Sequence, residues 1–386
     1  MHTRGLRRAL VSAVIAAAAV SVGGAAAAQP AGKAGWHIAA VLRHCANDSL
    51  ESVAAVGPDD AWAIGAPNWP GPSCDIDLEH WDGAHWRRVR TPRGVGLGSG
   101  TELSFPIAAT SSTDAWIFPG LLTNIGDSFF TYNYSLRWNG NAWLRSGLPA
   151  KPIITAAAAF GPRNAWAFGF RYRRAGAAVP YAARYAKSAW REVTMPGAAL
   201  AVSAVSARDL WAIGPTIRTA SRRLARQSWI AMAWNGHAWR AVRAPRPRLA
   251  GAGSYLEDTY IAAVGPRDVW WSYNVAAGIR DSSGLLHWNG TGWQHIAVPA
   301  TMGDVTAISQ DGAGGVWLTD GARWYHYRDG RWTSQRVLTP RKYNDTMFGL
   351  AWIPHTTSLW SVGEADLNFG TPSVGATVGV IARYRG

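Results

Sequence analysis

A short apolar block recurs along this chain, and each copy ends in tryptophan. In the first copy, small apolar residues from Val53 lead into Gly-Pro-Asp-Asp and then into Ala61 and Trp62. An apolar run, a turn and a second apolar run are typical of two antiparallel strands joined by a tight connection. Four more copies match it without gaps, and two looser copies follow: 107–116, 157–166, 202–211, 261–270, 305–317 and 350–360. The residues that end the copies, here termed the block tryptophans, are Trp62, Trp116, Trp166, Trp211, Trp270, Trp317 and Trp360.

A second block with two aromatic residues follows each of the first six copies. Its clearest form is Trp81-Asp-Gly-Ala-His-Trp86, and the others are 138–143, 185–190, 234–239, 288–293 and 327–332. Asn-Gly or Asp-Gly between such residues is a strong signal of a β-hairpin turn. Each repeat therefore predicts four strands. Because the block tryptophans lie 43 to 59 residues apart, the repeat has the length of a β-propeller blade.

The two ends of the repeat region complement each other. The seventh repeat stops at Gly386, where the others continue through a hairpin turn into a fourth strand. A matching strand occurs near the other end, because Gly35 to Leu42 resembles Gly292 to Val298. Pairing this strand with the last repeat would remove an unpaired sheet edge. The sequence therefore predicts an all-β protein: a seven-bladed β-propeller, four antiparallel strands per blade, with the last blade closed by the N-terminal strand.

Over residues 36–386 the pattern resembles propellers with Trp-rich repeats, in particular the BNR-like and tectonin-like groups and exported propellers of high-GC bacteria. The resemblance rests on strand and turn residues, so it implies an architecture rather than an activity. The chain departs from the sialidase pattern, because it has no Ser-x-Asp-x-Gly-x-Thr-Trp box.

The N-terminal segment predicts export. Arg4, Arg7 and Arg8 precede an apolar stretch over 9–22, and a small-residue region leads to Ala28. We expect a secretory signal peptide over 1–28, a short linker over 29–34 and one propeller domain over 35–386. An uncleaved anchor is the alternative, but the apolar stretch is short for a membrane span. The prediction is therefore a secreted, monomeric protein without a transmembrane segment.

The chain is strongly basic, with a net charge of +14. Removal of a signal that carries three arginines and no acid leaves +11, which favours anionic partners. The arginines are spread over the outermost strands, where charge discourages edge-to-edge aggregation, so nucleic acid is not expected as a partner. His80, His287 and His326 share one strand position, but no spacing of metal ligands is present. We expect no metal and no cofactor.

Two cysteines, Cys45 and Cys74, are expected to form a disulfide, because the chain is exported. Cys45 follows the closing strand and Cys74 lies in the loop between the second and third strands of blade 1. The bond would stabilise the protein by about 3 kcal/mol in the chain-entropy model.

The predicted ligand site lies on one face of the ring. The loops between second and third strands are long and varied, at about 66–77, 118–133, 168–180, 214–228, 272–284 and 363–377. Variable loops on a rigid scaffold are where binding residues concentrate. The candidate binding residues are Trp69, Asp75, Asp77, Tyr132, Arg171, Tyr172, Arg173, Tyr273, Asn274, Asp345, Glu364 and Asp366.

Three functions fit this set. Aromatic and acidic side chains suit a glycan or an anionic cell-surface polymer, because rings stack on sugars and carboxylates accept from hydroxyls. A scaffold for an extracellular protein is the second function. The third is a glycan-cleaving hydrolase or lyase, for which Asp345, Glu364 and Asp366 would have to converge. No catalytic motif is present, so a non-enzymatic binding role is favoured.

Overall fold

The computed structural model describes residues 34–44, 48–65, 76–92, 95, 106–119, 133–173, 178–216, 228–245, 247, 255–276, 282–337, 344–366 and 377–386. Over these residues, 28 strands form seven four-stranded antiparallel sheets, one for each repeat. The predicted seven-bladed propeller is confirmed. No helix in this part of the chain is long and apolar enough to cross a membrane.

The strands follow one another from the centre of each blade to its edge. Blades 1 to 3 comprise β2 (Leu50–Gly57), β3 (Asp60–Gly65), β4 (Asp77–Trp81) and β5 (Trp86–Arg88); β6 (Ile107–Ser111), β7 (Asp114–Ile117), β8 (Tyr134–Trp138) and β9 (Trp143–Gly147); and β10 (Ile153–Ala159), β11 (Ala165–Tyr172), β12 (Ala178–Ala186) and β13 (Ala189–Glu192). Blades 4 and 5 comprise β14 (Ala201–Ser206), β15 (Asp209–Pro215), β16 (Trp229–Trp234) and β17 (Trp239–Val242); and β18 (Tyr255–Gly265), β19 (Asp268–Ala276), β20 (Ser282–Trp288) and β21 (Trp293–Ile296). Blade 6 comprises β22 (Ala307–Gln310), β23 (Val316–Thr319), β24 (Arg323–Arg328) and β25 (Arg331–Arg336), and blade 7 comprises β26 (Asn344–Trp352), β27 (Leu359–Asp366), β28 (Thr377–Arg385) and β1 (Gly35–Leu42).

Blade 7 is completed by the N-terminal strand, as predicted. Strand β1 pairs antiparallel with β28, and Trp36 lies opposite Tyr384. The ring of Trp36 stacks on Trp324 of blade 6 at a centroid distance of 4.4 Å. Gln335 of blade 6 accepts from the Trp36 N–H and donates to the Trp36 carbonyl, both at 3.2 Å. The closing strand is therefore fastened to two blades at once.

Block tryptophans pack between consecutive blades. Trp360 of blade 7, for example, contacts the hairpin aromatics Trp81 and Trp86 of blade 1 at 5.2 and 5.1 Å. Trp166 meets Trp234 and Trp239 of blade 4 in the same way. None of the seven block tryptophans is more than 5% exposed. Their predicted structural role is confirmed, and the hairpin aromatics extend it by reaching the neighbouring blade.

A histidine or an arginine on the third strand contacts six of the seven block tryptophans. His287 lies opposite Trp270 in the pairing of β19 and β20 and stacks on it at 3.9 Å. Its Nε2 lies 2.8 Å from Asp268 Oδ1. His80 with Asp60, and His326 with Asp311, repeat this arrangement at 2.9 and 2.7 Å.

Arginine takes the place of histidine in three other blades. Arg137, Arg184 and Arg383 lie over Trp116, Trp166 and Trp360 at 5.7, 5.5 and 4.9 Å from the ring centroids. In blades 2 and 3 the guanidinium also donates a hydrogen bond to the residue two positions before the tryptophan. The acceptors are Asp114 at 2.7 Å and Asn164 at 3.1 Å. The hydrogen bond thus holds the guanidinium in cation–π contact with the indole.

The second strands extend further than predicted. Strands β11, β19 and β27 run to Tyr172, Ala276 and Asp366, so 168–172, 272–276 and 363–366 are strand and not loop. In β11 and β27 a glycine lies three residues after the block tryptophan. A Cβ at Gly363 would lie 2.0 Å from the Thr346 carbonyl, and a Cβ at Gly169 would lie 1.9 Å from that of Ile153. These glycines therefore allow the first strand to bulge against the second, and the second strand continues past them.

We expect Trp36→Ala to destabilise the ring strongly, because Trp36 is 7% exposed and contacts three aromatic rings. Loss of a buried aromatic ring costs about 3–5 kcal/mol, measured by urea unfolding. Val41 lies on the same strand and is 42% exposed. Val41→Ala should change the free energy of unfolding by less than about 0.5 kcal/mol; equal effects of the two substitutions would contradict this account of the closure.

Asp311 should stabilise the fold as a charged group. Although burial opposes ionisation, hydrogen bonds from His326, Ala313 and Gly315 lower its pKa from 3.8 to about 2. Because the pKa is lower in the folded state, the stabilisation is full above about pH 4 and is lost as pH falls towards about 2. Asp311→Asn should therefore cost about 2 kcal/mol at neutral pH and little at the acid end. Urea unfolding across this range tests it, and a cost independent of pH would refute the charge effect. Asp329→Asn, on an exposed turn of the same blade, is the control.

Candidate functional site

The face predicted to carry the ligand site, here the upper face, is where second strands end and first and third strands begin. Blade-to-blade connections reach it as well, because the fourth strand of one blade ends there. The opposite, lower face carries the turns between strands 1 and 2 and between strands 3 and 4. The hairpin turns on the lower face are as predicted: Trp81 pairs directly with Trp86, and Gly83 between them has a φ of 94°.

Carboxyl groups collect on the upper face where blade 7 meets blade 1. On β27, Trp360 and Val362 pack against blade 1. Side chains alternate along a strand, so Glu364 and Asp366 continue on the same side. On blade 1, Ala61 and Ala63 face blade 7, and Asp77 and Glu79 lie on that side because they pair with Gly65 and Ala63. This group, with Asp48 and Glu51, is here termed the acidic seam.

Three acids of the seam are buried completely. Asp48, Asp77 and Glu79 are 0% exposed. His44 Nε2 lies 3.1 Å from Glu79 Oε1, and Arg88 Nε lies 3.7 Å from Asp77 Oδ1. The His44 N–H also donates to Asp48 Oδ2 at 2.7 Å. A histidine and an arginine thus lie against this group of three buried carboxyl groups.

Burial keeps part of this group protonated. It raises the pKa of Glu79 to about 8, and the charge of Asp77 adds to the effect. Burial also raises the pKa of Asp77 to about 6, with Asp48 acting in the same direction. A protonated Glu79 can donate to the Asp77 carboxylate. Burial and the charge of Asp77 therefore both favour the protonated form of Glu79.

Glu51 stands at the edge of the channel, on the bulge between Leu50 and Ser52. Burial raises its pKa to about 8, and the negative charge of Glu364 contributes. It is partly accessible to solvent, in contrast to Asp77 and Glu79. A protonated carboxyl group next to a second acid can both donate and accept hydrogen bonds.

Glu51, Glu79 and Asp48 were missed at the sequence level, although a signal for Glu51 exists. When the gap-free blocks are aligned on their tryptophans, Glu51 falls at the position of Thr155 and Thr259. Thr155 donates to the Ala199 carbonyl of the next blade at 2.7 Å, which is a structural role. A charged residue at a position that elsewhere joins blades through a hydroxyl marks Glu51 as exceptional.

The structure separates Asp345 from Glu364 and Asp366. Asp345 pairs with Ala365, whose side chain packs towards blade 6. Glu364 pairs with Thr346 on the opposite face of the sheet. The convergence that a glycan-cleaving role would require is therefore not formed by Asp345, because neighbouring residues of a strand point to opposite faces. Glu364 and Asp366 instead share their seam with Asp77.

Tyr273 and Asn274 lie within β19 and are 2% and 1% exposed. The Asn274 side chain donates to the Val305 carbonyl at 2.8 Å and accepts from the Val305 N–H at 2.9 Å. It thereby joins blade 5 to the connection that enters blade 6. Gly284 leaves the space that the Tyr273 ring occupies, because a Cβ there would lie 2.2 Å from it.

The blade 3 candidates lie at the end of β11, several blades from the seam. Arg171 Nη2 is 3.4 Å from Glu192 Oε2. Tyr172 lies on the face of the strand opposite to Arg171 and packs edge-on against Phe170 at 5.7 Å. Arg173 is exposed. Trp69, Asp75 and Tyr132 lie outside the described residues, as do both cysteines of the predicted disulfide.

Within the described ranges, no group of three His, Cys, Asp or Glu side chains is arranged to hold a metal ion. What the acidic seam offers is hydrogen bonding and negative charge at the channel mouth. Such a cluster of strongly shifted pKa values is typical of a functional site, because buried acids reduce stability.

Comparisons with solved structures agree with the class of protein that the fold defines, a seven-bladed β-propeller. YCF48 bound to a D1 peptide superposes with a TM-score of 0.56 and 15% identity, covering 93% of this chain and 97% of that one. A streptogramin B lyase gives 0.50 and 10%, covering 90% and 97%. The extracellular domain of BT4673 from B. thetaiotaomicron gives 0.53 and 8%, covering 90% and 40%. At these identities the likeness concerns the fold alone. No family model and no curated protein matches the sequence.

Glu79→Gln should change how stability depends on pH. The pKa of Glu79 is higher in the folded state than its ordinary 4.5, so the folded protein loses relative stability as pH rises from about 4.5 to about 8. Glutamine has no charge to bury. We expect the variant to gain on the order of 1 kcal/mol or more over wild type between about pH 5 and about pH 8.5, measured by urea unfolding. Glu192→Gln, at an exposed site on the upper face, should leave the profile unchanged; parallel profiles for Glu79→Gln and wild type would exclude a buried proton on Glu79.

Proposed function

We propose that this chain is an exported, non-enzymatic binding propeller whose ligand site is the acidic seam on the upper face. One observation carries the proposal: six carboxyl groups meet between blades 7 and 1, and three of them are fully buried. The block tryptophans of all seven blades, Trp360 included, pack mainly against aromatic and apolar side chains, so packing of the ring does not by itself require these acids. Since burying acids lowers stability, a use in recognition accounts for their presence.

A glycan or a cell-wall polymer fits the seam best. Glu51, protonated near neutral pH, offers a donor and an acceptor, and Glu364 offers acceptors beside it. Sugar hydroxyls need such mixed partners. The resemblance of the repeat to BNR-like and tectonin-like propellers supports the scaffold and not the ligand. Export by a cleaved signal peptide is part of the proposal.

A protein partner is the second candidate. The seam concentrates acids in a chain whose net charge is +14, so a segment with lysine or arginine would be attracted to it. The solved structure of YCF48 contains a bound peptide, which shows that a propeller of this size can hold one. The seam would then recognise positive charge instead of hydroxyl groups.

The binding proposal is tested with the mature chain on a glycan array at two salt concentrations. We expect selective, salt-tolerant binding that Glu51→Gln combined with Glu364→Gln weakens at least about tenfold, or roughly 1.4 kcal/mol. Asp329→Asn on the lower face removes one acid and should leave binding unchanged. Release of reducing ends from any bound glycan, abolished by Glu51→Gln, would replace the binding role by catalysis.

Three other outcomes would replace the glycan-binding interpretation of the seam. Binding to every acidic glycan that disappears at high salt would reflect net charge only. A blank array together with a seam-dependent interaction with a lysine-rich peptide would favour the protein partner. If the double substitution had no effect on any ligand found, the site would lie outside the seam.

A further inference from the structure

Three arginines stand at the same turn position in consecutive blades. Arg163, Arg208 and Arg267 each precede the Asp or Asn that lies two residues before a block tryptophan. They therefore occupy the strand 1–2 turns of blades 3, 4 and 5 on the lower face, opposite the acidic seam. All three are exposed. This group is here termed the basic arc.

The acid or amide beside each arginine does not neutralise it. Asp268 is bound to His287 at 2.8 Å, and Asn164 accepts from Arg184 at 3.1 Å. Both side chains are thus engaged beneath the block tryptophan of their blade. Asp209 is half-buried, and burial raises its pKa. Among the described residues, no acid forms an ion pair with an arginine of the arc.

The aliphatic parts of two arc arginines pack against the strand 3–4 turn of the same blade. The side chain of Arg208 lies against Gly236, where a Cβ would come within 3.3 Å of its Cγ. Gly290 in blade 5 gives Arg267 the same support, with only 2.8 Å from such a Cβ to Cγ. These glycines belong to the neighbouring hairpin turns, so the two turns of a blade hold the arginine stem between them. Ordering the stem in advance lowers the entropy cost of binding.

Other basic residues lie close to the arc, and the turn arginine itself is absent from neighbouring blades. Lys187 and Arg191 in blade 3 and Arg240 in blade 4 are exposed on adjacent turns and outer strands. In blades 1 and 2 the arc position holds Asp59 and Thr113 instead of arginine. An arginine in the strand 1–2 turn is therefore confined to blades 3, 4 and 5.

We propose that the basic arc binds a linear anionic polymer that carries phosphate groups at regular intervals. Arginine is suited to phosphate, because its planar guanidinium forms paired hydrogen bonds. Equivalent arginines, one per blade, match a ligand whose charges also repeat, whereas a single small anion would engage only one of them. This site is separate from the acidic seam, and neither depends on the other.

The test compares two triple variants with the same change of charge. One replaces Arg163, Arg208 and Arg267 by glutamine, and the control replaces the exposed Arg90, Arg336 and Arg385 of blades 1, 6 and 7. Affinity for long-chain inorganic polyphosphate is measured against salt concentration. We expect the arc variant to bind at least about tenfold more weakly and to lower the log–log salt slope by about 2, since each charge contributes about 0.7 on a single strand. The control triple variant should show a much smaller loss of affinity and a much smaller change in the salt slope.

Equal losses in the two triple variants would overturn the arc in favour of general electrostatics. Failure to bind polyphosphate would overturn it too, including the case in which vesicles with phosphatidylglycerol or duplex DNA bind instead. The single variants Arg208→Gln and Arg267→Gln keep the test valid if the triple variant folds poorly, because each should give a part of the loss with an unchanged thermal midpoint.

Discussion

The ring depends on how each block tryptophan is enclosed. In six of the seven blades a histidine or arginine from the third strand covers one side of the ring, while Trp211 lies opposite Ala233. For Trp270 the partners are His287 of its own blade, at 3.9 Å, and Tyr327 of the next blade, at 5.6 Å. His287 is in turn bound to Asp268, which lies two residues before the tryptophan. One side chain thus joins a turn, a strand and a neighbouring blade, so the geometry of a blade and the spacing between blades are set by the same contact.

Close backbone approach is the second constraint. A Cβ at Gly65 or Gly214 would lie 1.8 or 1.7 Å from the carbonyl of Ser49 or Ala198, just before the first strand, so any other residue there would displace the chain that enters that strand. Because the first strand bulges at this level, its residues reach the channel and the next blade. The Thr306 hydroxyl, at the start of blade 6, donates to the Met347 carbonyl of blade 7 at 2.7 Å. Glu51 occupies the equivalent place in blade 1, which is how the repeat brings a carboxyl group to the channel mouth.

Sequence patterns predicted the architecture well because they are local and repeated. The Asn-Gly turns, the block tryptophans and the strand from Gly35 to Leu42 each needed only neighbouring residues to be interpreted. The candidate site was harder to predict from the sequence, because it is formed by residues far apart in the chain. The predicted loop over 363–377 includes Glu364 and Asp366, but Gly363 accommodates a bulge of the first strand and the second strand continues to Asp366. A His or Arg before most first hairpin aromatics is visible in the sequence, but its bond to the acid or amide near the tryptophan requires the register of three strands.

The distribution of charge over the two faces has a physical consequence for function. The chain carries +14, and uniform spreading of this charge would give every surface a weak attraction for anions. Instead, acids gather on the upper face at the junction that the closing strand completes, and unneutralised arginines gather on the lower face in blades 3 to 5. Asp268 is bound to His287 in blade 5 and Asn164 is bound by Arg184 in blade 3, so neither side chain forms an ion pair with the arginine beside it. The contacts that stabilise the ring therefore also determine where its surface is positive.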